Sequence, residues 1–170
     1  MDRKAFYKLT SGLYIIGTQA GEKRAGCVVN TVLQVTSTPA QLLVAINKEN
    51  FTCGVVKEAG RFSATVLAQG IEPRIIGTFG FATSADTDKF SMVPTAVTAG
   101  GQPYPSVGGV AVFDCKVVNT VDVGTHLLFI GEVEDSAVLG ADEPLTYAYY
   151  HSVLKLKTPQ KASSYNPDEE

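Results

Sequence analysis

Two long β-type segments near the end of the chain constrain its fold more than any other feature. Residues 109–123, GVAVFDCKVVNTVDV, and residues 126–139, HLLFIGEVEDSAVL, contain stretches in which apolar and polar residues alternate. Alternation with a period of two is typical of half-buried strands, and the short separation predicts an antiparallel pair. Shorter β-branched segments precede this pair, with few short helical segments between them. The pattern predicts a mainly β domain, closer to a β-barrel than to a doubly wound sheet.

The length and composition of the chain fit one domain. It has 170 residues, of which 45% are hydrophobic, which is enough to bury a core. We predict that residues 1–157 form this domain. Residues 158–170, TPQKASSYNPDEE, are polar and contain two prolines, which predicts a loosely held tail.

Charge and hydropathy exclude several classes of partner. The net charge is -3 and the basic residues are scattered, so neither nucleic acid nor an anionic membrane is an expected partner. No apolar stretch approaches the roughly 20 residues of a spanning helix, and the N-terminus MDRKAFYKLT does not resemble a signal peptide. Cys27, Cys53 and Cys115 lack the spacing of a disulfide framework or a metal site. We therefore expect a cytoplasmic protein with reduced thiols.

The segment INKENFTCGVV, residues 46–56, predicts an anion site. A strand is expected to end at Asn47 and a helix to begin near Thr52, so the amides of the turn and the positive end of the helix would face a ligand. Lys48 adds a formal charge. The alternative is that Asn50 or Thr52 only caps the helix and that Lys48 is solvated. The glycine-rich phosphate loops of the Walker and dinucleotide-binding types do not occur.

The segment NTVLQVTSTP, residues 30–39, carries a row of polar residues. Asn30, Gln34 and Thr36 share a parity, so on a regular strand their amides and hydroxyl would project from one face. Such a row suits a flat heteroaromatic ring with its own donors and acceptors. The alternative is a face that only contacts solvent.

His126 is one of two histidines and stands at the entrance to an apolar strand. Taken alone, it has two interpretations: a hydrogen-bonded structural residue, or a group that acts in catalysis. The nucleophile motif G-x-S-x-G is absent, so hydrolysis by that route is not expected.

Two other segments are interpreted from their composition. Residues 83–107 are rich in Ser, Thr, Gly and Pro and predict a long loop, which could cover a ligand. The aromatic segment LTYAYYHSVLKL predicts a final edge strand or turn.

Several segments together resemble a known family. They are AFYKLTSGLYIIGT, NTVLQVTSTPAQLLVAINKENFT, IGTFGF with TDKF, KVVNTVDVGTHLLFIGEVEDSAVL and PLTYAYYH. The chain resembles the flavin reductase family, and within it the subgroup of ferric reductases, flavoredoxins and the flavin domains of high-molecular-weight rubredoxins. The resemblance covers nearly all of residues 4–157. It implies an FMN-binding split β-barrel with Greek-key topology and a few short helices.

The resemblance also implies a flavin site. It places the isoalloxazine and ribityl chain of FMN along the strand NTVLQVTS and the phosphate at the turn NKENFT. It marks His126 as the candidate catalytic residue, near the flavin face where a nicotinamide docks, and implies no metal ligand. The candidate FMN contacts are Asn30, Thr31, Gln34, Thr36, Ser37, Asn47, Lys48, Asn50, Thr52 and Lys89.

The activity implied by the resemblance is that of an FMN-dependent oxidoreductase. Such an enzyme takes hydride from NAD(P)H and passes electrons to rubredoxin, free flavin, iron(III) or oxygen. The resemblance further implies a homodimer. Two alternatives remain from the residues: a non-enzymatic FMN-binding electron carrier reduced by a partner protein, and a β-barrel scaffold without a cofactor.

Overall fold

The computed structural model describes residues 1–156, 158 and 160–165. Strands form most of the ordered structure, as the sequence predicts. The strands are β1 (Tyr14–Ala20), β2 (Lys23–Val29), β3 (Val32–Ser37), β4 (Ala40–Asn47), β5 (Arg61–Leu67), β6 (Thr95–Val97), β7 (Pro103–Pro105), β8 (Gly109–Asp122) and β9 (His126–Val138). The helices are α1 (Phe51–Ala59), α2 (Pro73–Phe81), α3 (Tyr147–Ser152) and two 3-10 helices, Arg3–Lys8 and Lys89–Ser91.

Seven strands form one antiparallel sheet in the order β2-β1-β5-β8-β9-β4-β3, and β6 and β7 form a separate ribbon. The predicted pairing of the two long strands is confirmed, because β8 and β9 pair from Ala111↔Val138 to Asp122↔Leu127. At the base of this hairpin β8 also pairs with β5, and at its tip β9 also pairs with β4. The hairpin therefore connects two parts of a curved sheet.

The two faces of the sheet contact different apolar clusters. Ile16 of β1 points into a cluster that also contains Val44, Phe62 and Phe129. Its neighbour Ile15 points to the opposite face, into a cluster formed with α2, α3 and the second 3-10 helix. Successive strand residues point to opposite faces, so β1 contributes to both clusters.

The helix predicted after the anion turn is confirmed. Asn50 caps α1 by accepting a hydrogen bond from the Thr52 amide, and Gly60 ends the helix with φ of 64°. The left-handed conformation favours glycine because it has no Cβ.

One local prediction is wrong. The segment LTYAYYHSVLKL is not an edge strand or turn but contains helix α3, because Thr146 caps the helix and Tyr150 packs into the second cluster.

Residues 83–107 do not form an open loop. The segment contains the second 3-10 helix, β6 and β7, and β7 contacts β1 and β5. Ser63 of β5 donates a hydrogen bond of 2.7 Å from Oγ to the carbonyl of Pro103. The buried carboxylate of Asp114 accepts from the Gly100 amide and from Arg61 Nη2. These contacts fix the segment to the central strands.

None of the helices in the described part of the chain combines the length and the hydropathy needed to cross a lipid bilayer.

Candidate functional site

The polar end of the β4–β9 pair brings two predicted site residues together. Asn47, the last residue of β4, is paired in register with His126, the first residue of β9. Residues that face each other directly across an antiparallel pair have their side chains on the same face. The Lys48 amide donates to the Thr125 carbonyl at 2.9 Å, which ties the two adjoining turns together. Asn47 and His126 are therefore neighbours on the outer face of the sheet.

His126 is positioned by its neighbours and by burial. Its Nδ1 lies 2.8 Å from the hydroxyl oxygen of Thr125, while Nε2 is enclosed and has no hydrogen-bond partner of normal geometry among the described residues. Burial lowers the pKa of the ring, and the backbone of Lys161 acts in the opposite direction. Because burial is the larger influence, the ring favours its neutral form at neutral pH. A neutral imidazole with one nitrogen unpaired can donate or accept one hydrogen bond.

The turn after β4 differs from the expected anion site in one respect. Its amides are already used inside the protein: the Glu49 amide donates to Asn47 Oδ1 at 2.9 Å, and the Thr52 amide donates to Asn50 Oδ1 at 3.1 Å. The Asn50 amide donates to the Asn47 carbonyl. An anion at this turn would therefore depend on side-chain charge more than on free amides.

Lys48 supplies that charge but has an ionic partner. Its Nζ lies 2.6 Å from Asp122 Oδ2, and both side chains are exposed. The hydrogen bond from Lys48 lowers the pKa of Asp122, with help from the Gly124 amide. Exposed ion pairs of this kind contribute little to stability because solvent screens them, so a phosphate could replace the carboxylate.

Asn30 and Thr31 lie in the connection between β2 and β3 and contact the C-terminal segment. Ser163 Oγ donates to Asn30 Oδ1 at 2.8 Å, and it lies 2.8 Å from Thr31 Oγ1. Since the Ser163 proton is directed to Asn30, the Thr31 hydroxyl donates to Ser163. The Thr31 carbonyl also accepts from the Ala45 amide on β4. This bond places Thr31 beside Ala45, which lies two residues before Asn47 on β4.

The predicted polar row on β3 does not form. A β-bulge places Gln34 opposite Leu42 and Thr36 opposite Gln41, so the two polar residues fall on opposite faces. An extra residue in one strand reverses the alternation beyond it. The Thr36 hydroxyl donates to the Pro39 carbonyl at 2.5 Å, and Ser37 is exposed at the end of the strand.

The side chains of two predicted residues, Thr52 and Lys89, are buried inside the protein. The Thr52 side chain is fully buried beside Cys27, a thiol whose pKa burial raises to about 11. Lys89 is also buried, and its Nζ donates to the carbonyls of Gly26 at 2.9 Å and Phe79 at 3.1 Å. Its pKa is lowered by burial. Neither side chain reaches the face that carries Asn47 and His126.

A cleft of about 790 Å³ adjoins Asn30 and Thr31. Its walls are mainly apolar and include Phe6 of the first 3-10 helix, Leu33 of β3 and Tyr147 of α3. Cavities of this size with a few polar groups at one side are typical of small-molecule sites. No residue of the 83–107 segment lines this cleft.

The sequence did not identify the residues that the C-terminal segment contributes. Besides Ser163, Lys161 reaches the turn, where its Nζ donates to the Glu49 carbonyl at 3.1 Å. Ser164 donates to the Tyr147 hydroxyl at 2.6 Å. Isolated lysines and serines in a polar, proline-containing tail have no periodicity or spacing that could have indicated these contacts.

The sequence of the chain is similar to those of known proteins. The family model described as flavin reductase like domain matches residues 6–154. The chain is 45% identical to a ferric-chelate reductase (NAD(P)H) of Archaeoglobus fulgidus, over 97% of this chain and 98% of that protein. It is 42% identical to a high molecular weight rubredoxin of Moorella thermoacetica, over 97% of this chain and 72% of that protein.

A solved structure supports the same fold. The NADH:FAD oxidoreductase SgcE6 of Streptomyces globisporus has a TM-score of 0.77 to this chain, with 22% identity over 85% of each chain. The predicted split β-barrel is thereby confirmed.

Proposed function

Because the chain belongs to the family of flavin reductase like domains, we propose that it is an FMN-dependent oxidoreductase that takes hydride from NAD(P)H. Its acceptor is a one- or two-electron partner such as rubredoxin, free flavin, iron(III) or oxygen. FMN, when bound, supplies the centre that accepts the hydride, and the protein supplies binding, orientation and electrostatics.

The observation that carries this proposal is the cluster of Thr31, Asn47 and His126 on one face of the sheet. Asn47 and His126 are paired in register, and the enclosed Nε2 of His126 makes no hydrogen bond of normal geometry to the described residues, although the backbone of Lys161 lies close enough to raise the pKa of the ring. A buried polar atom without a partner is costly, so a ligand group that satisfies Nε2 would bind favourably. The donor set of amide, hydroxyl and imidazole fits a flavin or nicotinamide amide.

The described residues divide into three roles. Asn30, Thr31 and Asn47 contribute hydrogen bonds to the polar parts of FMN. Lys48 contributes charge for the phosphate, with Asn50 holding the turn beside it. His126 is the candidate catalytic residue and orients the nicotinamide. Gln34, Thr36 and Ser37 remain predictions at the exposed end of β3, and Thr52 and Lys89, whose side chains are buried, remain predictions as well.

We also propose a homodimer. Leu33 and Val121 are 62% and 40% exposed, and the register of β3, β4, β9 and β8 puts them on the same outer face as Leu43 and Ile130. A contiguous apolar face of this kind favours a protein interface. The three buried free thiols suit the reducing cytoplasm, where we place the protein.

The test is anaerobic reduction of the FMN-loaded protein by NADH and NADPH, followed by flavin absorbance. His126→Ala should retain FMN and slow its bleaching at least tenfold, because a small misplacement of reacting groups costs up to about a hundredfold in rate. His151→Ala is a matched control on α3. Equal rates in wild type and His126→Ala would remove the assigned role.

A second measurement tests the phosphate position. Lys48→Ala should weaken FMN more than riboflavin, which lacks the phosphate, and Lys23→Ala should change neither. Equal losses for both ligands would place the phosphate elsewhere. Flavin that binds but is not reduced by either nicotinamide would favour the electron carrier over the enzyme.

A further inference from the structure

Residues 160–165 lie across the polar end of the candidate flavin site, and we name them the strap. The strap contacts three separate parts of that site. Ser163 is hydrogen-bonded to Asn30 and Thr31, and Lys161 donates from Nζ to the carbonyl of Glu49. The backbone of Lys161 also raises the pKa of the His126 ring.

The strap uses polar groups that the proposed function assigns to FMN. Ser163 donates a hydrogen bond to the amide oxygen of Asn30, and it accepts the one hydrogen bond that the Thr31 hydroxyl can donate. A ribityl hydroxyl or ring carbonyl that bonds to the same groups would have to displace Ser163. The closed strap and the bound cofactor therefore compete for the same hydrogen bonds.

We propose that the strap is a displaceable segment that occupies the flavin site and must leave it before FMN binds, so that the C-terminal segment sets the apparent affinity for FMN. This inference rests on the proposed function, because it assumes that Asn30 and Thr31 contact FMN.

The contacts of the strap favour a displaceable segment over a fixed wall. Gln160, Lys161 and Ser163 are exposed, and the remaining strap residues are only partly buried. Hydrogen bonds between exposed side chains contribute little to stability, because water competes for them. Segments with few buried apolar contacts open at low cost. Ser164 and Thr158 both hydrogen-bond to the Tyr147 hydroxyl and give the strap an attachment point on α3.

Displacement has a quantitative consequence for binding. When only the open form binds, the apparent dissociation constant equals the intrinsic constant divided by the open fraction. A strap that is closed nine-tenths of the time would weaken FMN binding about tenfold. Removal of the strap should therefore strengthen binding.

The experiment compares FMN affinity, by flavin fluorescence, in the wild-type chain, in two full-length variants and in a chain that ends at Leu156. The shortened chain should bind FMN about tenfold more tightly. Ser163→Ala, which removes the bonds to Asn30 and Thr31 and leaves the chain complete, should bind about threefold more tightly on the same basis. Gln160→Ala is the matched control, because Gln160 makes no hydrogen bond to the other described residues, and its affinity should not change.

Limited trypsin digestion gives an independent readout on the wild-type chain. The bond after Lys161 should be cleaved faster when FMN is bound, because the strap is then released. Cleavage at Lys155, outside the strap, provides the internal reference. Protection of Lys161 by FMN would mean that the strap closes over the cofactor, which overturns the proposal.

Different results would overturn the strap proposal and the proposed function. If Lys48→Ala weakens FMN while the shortened chain and Ser163→Ala bind no more tightly than wild type, the strap proposal alone is overturned. If no form of the chain binds FMN, the proposed function is overturned and the strap proposal with it.

Discussion

The 83–107 segment and the strap are both polar and rich in turn-forming residues, yet they have opposite relations to the rest of the molecule. The first is fixed by buried groups: Asp114, which is 2% exposed, holds the Gly100 amide, and fully buried Ser63 holds the Pro103 carbonyl. The strap is held mainly by the exposed Ser163 hydroxyl and the exposed Lys161 ammonium group, with one half-buried hydrogen bond from Ser164 to Tyr147. Burial of the anchoring groups, and not composition, separates a fixed segment from a displaceable one.

The largest expected effect concerns the fixed segment. Asp114→Ala should lower the free energy of unfolding by about 3 kcal/mol, because it leaves Arg61 and the Gly100 amide without their buried acceptor. Urea unfolding followed by circular dichroism measures the change. Glu58→Ala, which breaks the exposed pair with Lys23, is the control and should cost less than about 1 kcal/mol. Equal losses in the two variants would contradict the contrast.

Removal of the strap should have a smaller effect on stability. A chain that ends at Leu156 should lose about 1 kcal/mol or less, because most of the lost hydrogen bonds are exposed and the lost contacts are few. The same urea titration compares it with Asp114→Ala. A loss as large as that of Asp114→Ala would show that the strap is part of the folded core.

The smallest effect concerns the pKa of His126, which burial lowers. The histidine of the unfolded chain has a pKa of about 6.5, whereas the native ring resists protonation. Below that pH the unfolded chain therefore binds more protons than the native protein. The free energy of unfolding falls as the pH drops through that value. In the chain that ends at Leu156 the ring loses both the cover of the strap, which lowers its pKa, and the backbone of Lys161, which raises it. Because burial is the larger influence, the pKa of the ring should rise toward the ordinary value. Nuclear magnetic resonance titration of the ring proton tests this. An unchanged pKa in the shortened chain would mean that the sheet and its turns alone bury the ring.

The site was only partly predictable from the sequence. The anion turn and His126 were found because strand ends, caps and a histidine beside an apolar strand have local signatures. The row of Asn30, Gln34 and Thr36 was predicted from a regular period of two, which the bulge in β3 interrupts. Lys89 was included because its segment matches the family. Its side chain instead donates to Gly26 and Phe79 inside the protein, a placement that depends on how α2 packs on β2.

The sequence by itself determined the mainly β fold, the pairing of β8 with β9, the helix after Asn50 and the family. These features depend on alternation, capping and motif order, all of which act between residues close in the chain. Only the tertiary structure decided that Asn47 lies opposite His126, that residues 83–107 are fixed to the central strands, and that Ser163 contacts Asn30 and Thr31. Ser163 and Asn30 are 133 positions apart, and contacts over that separation depend on the closed sheet, which no local pattern specifies.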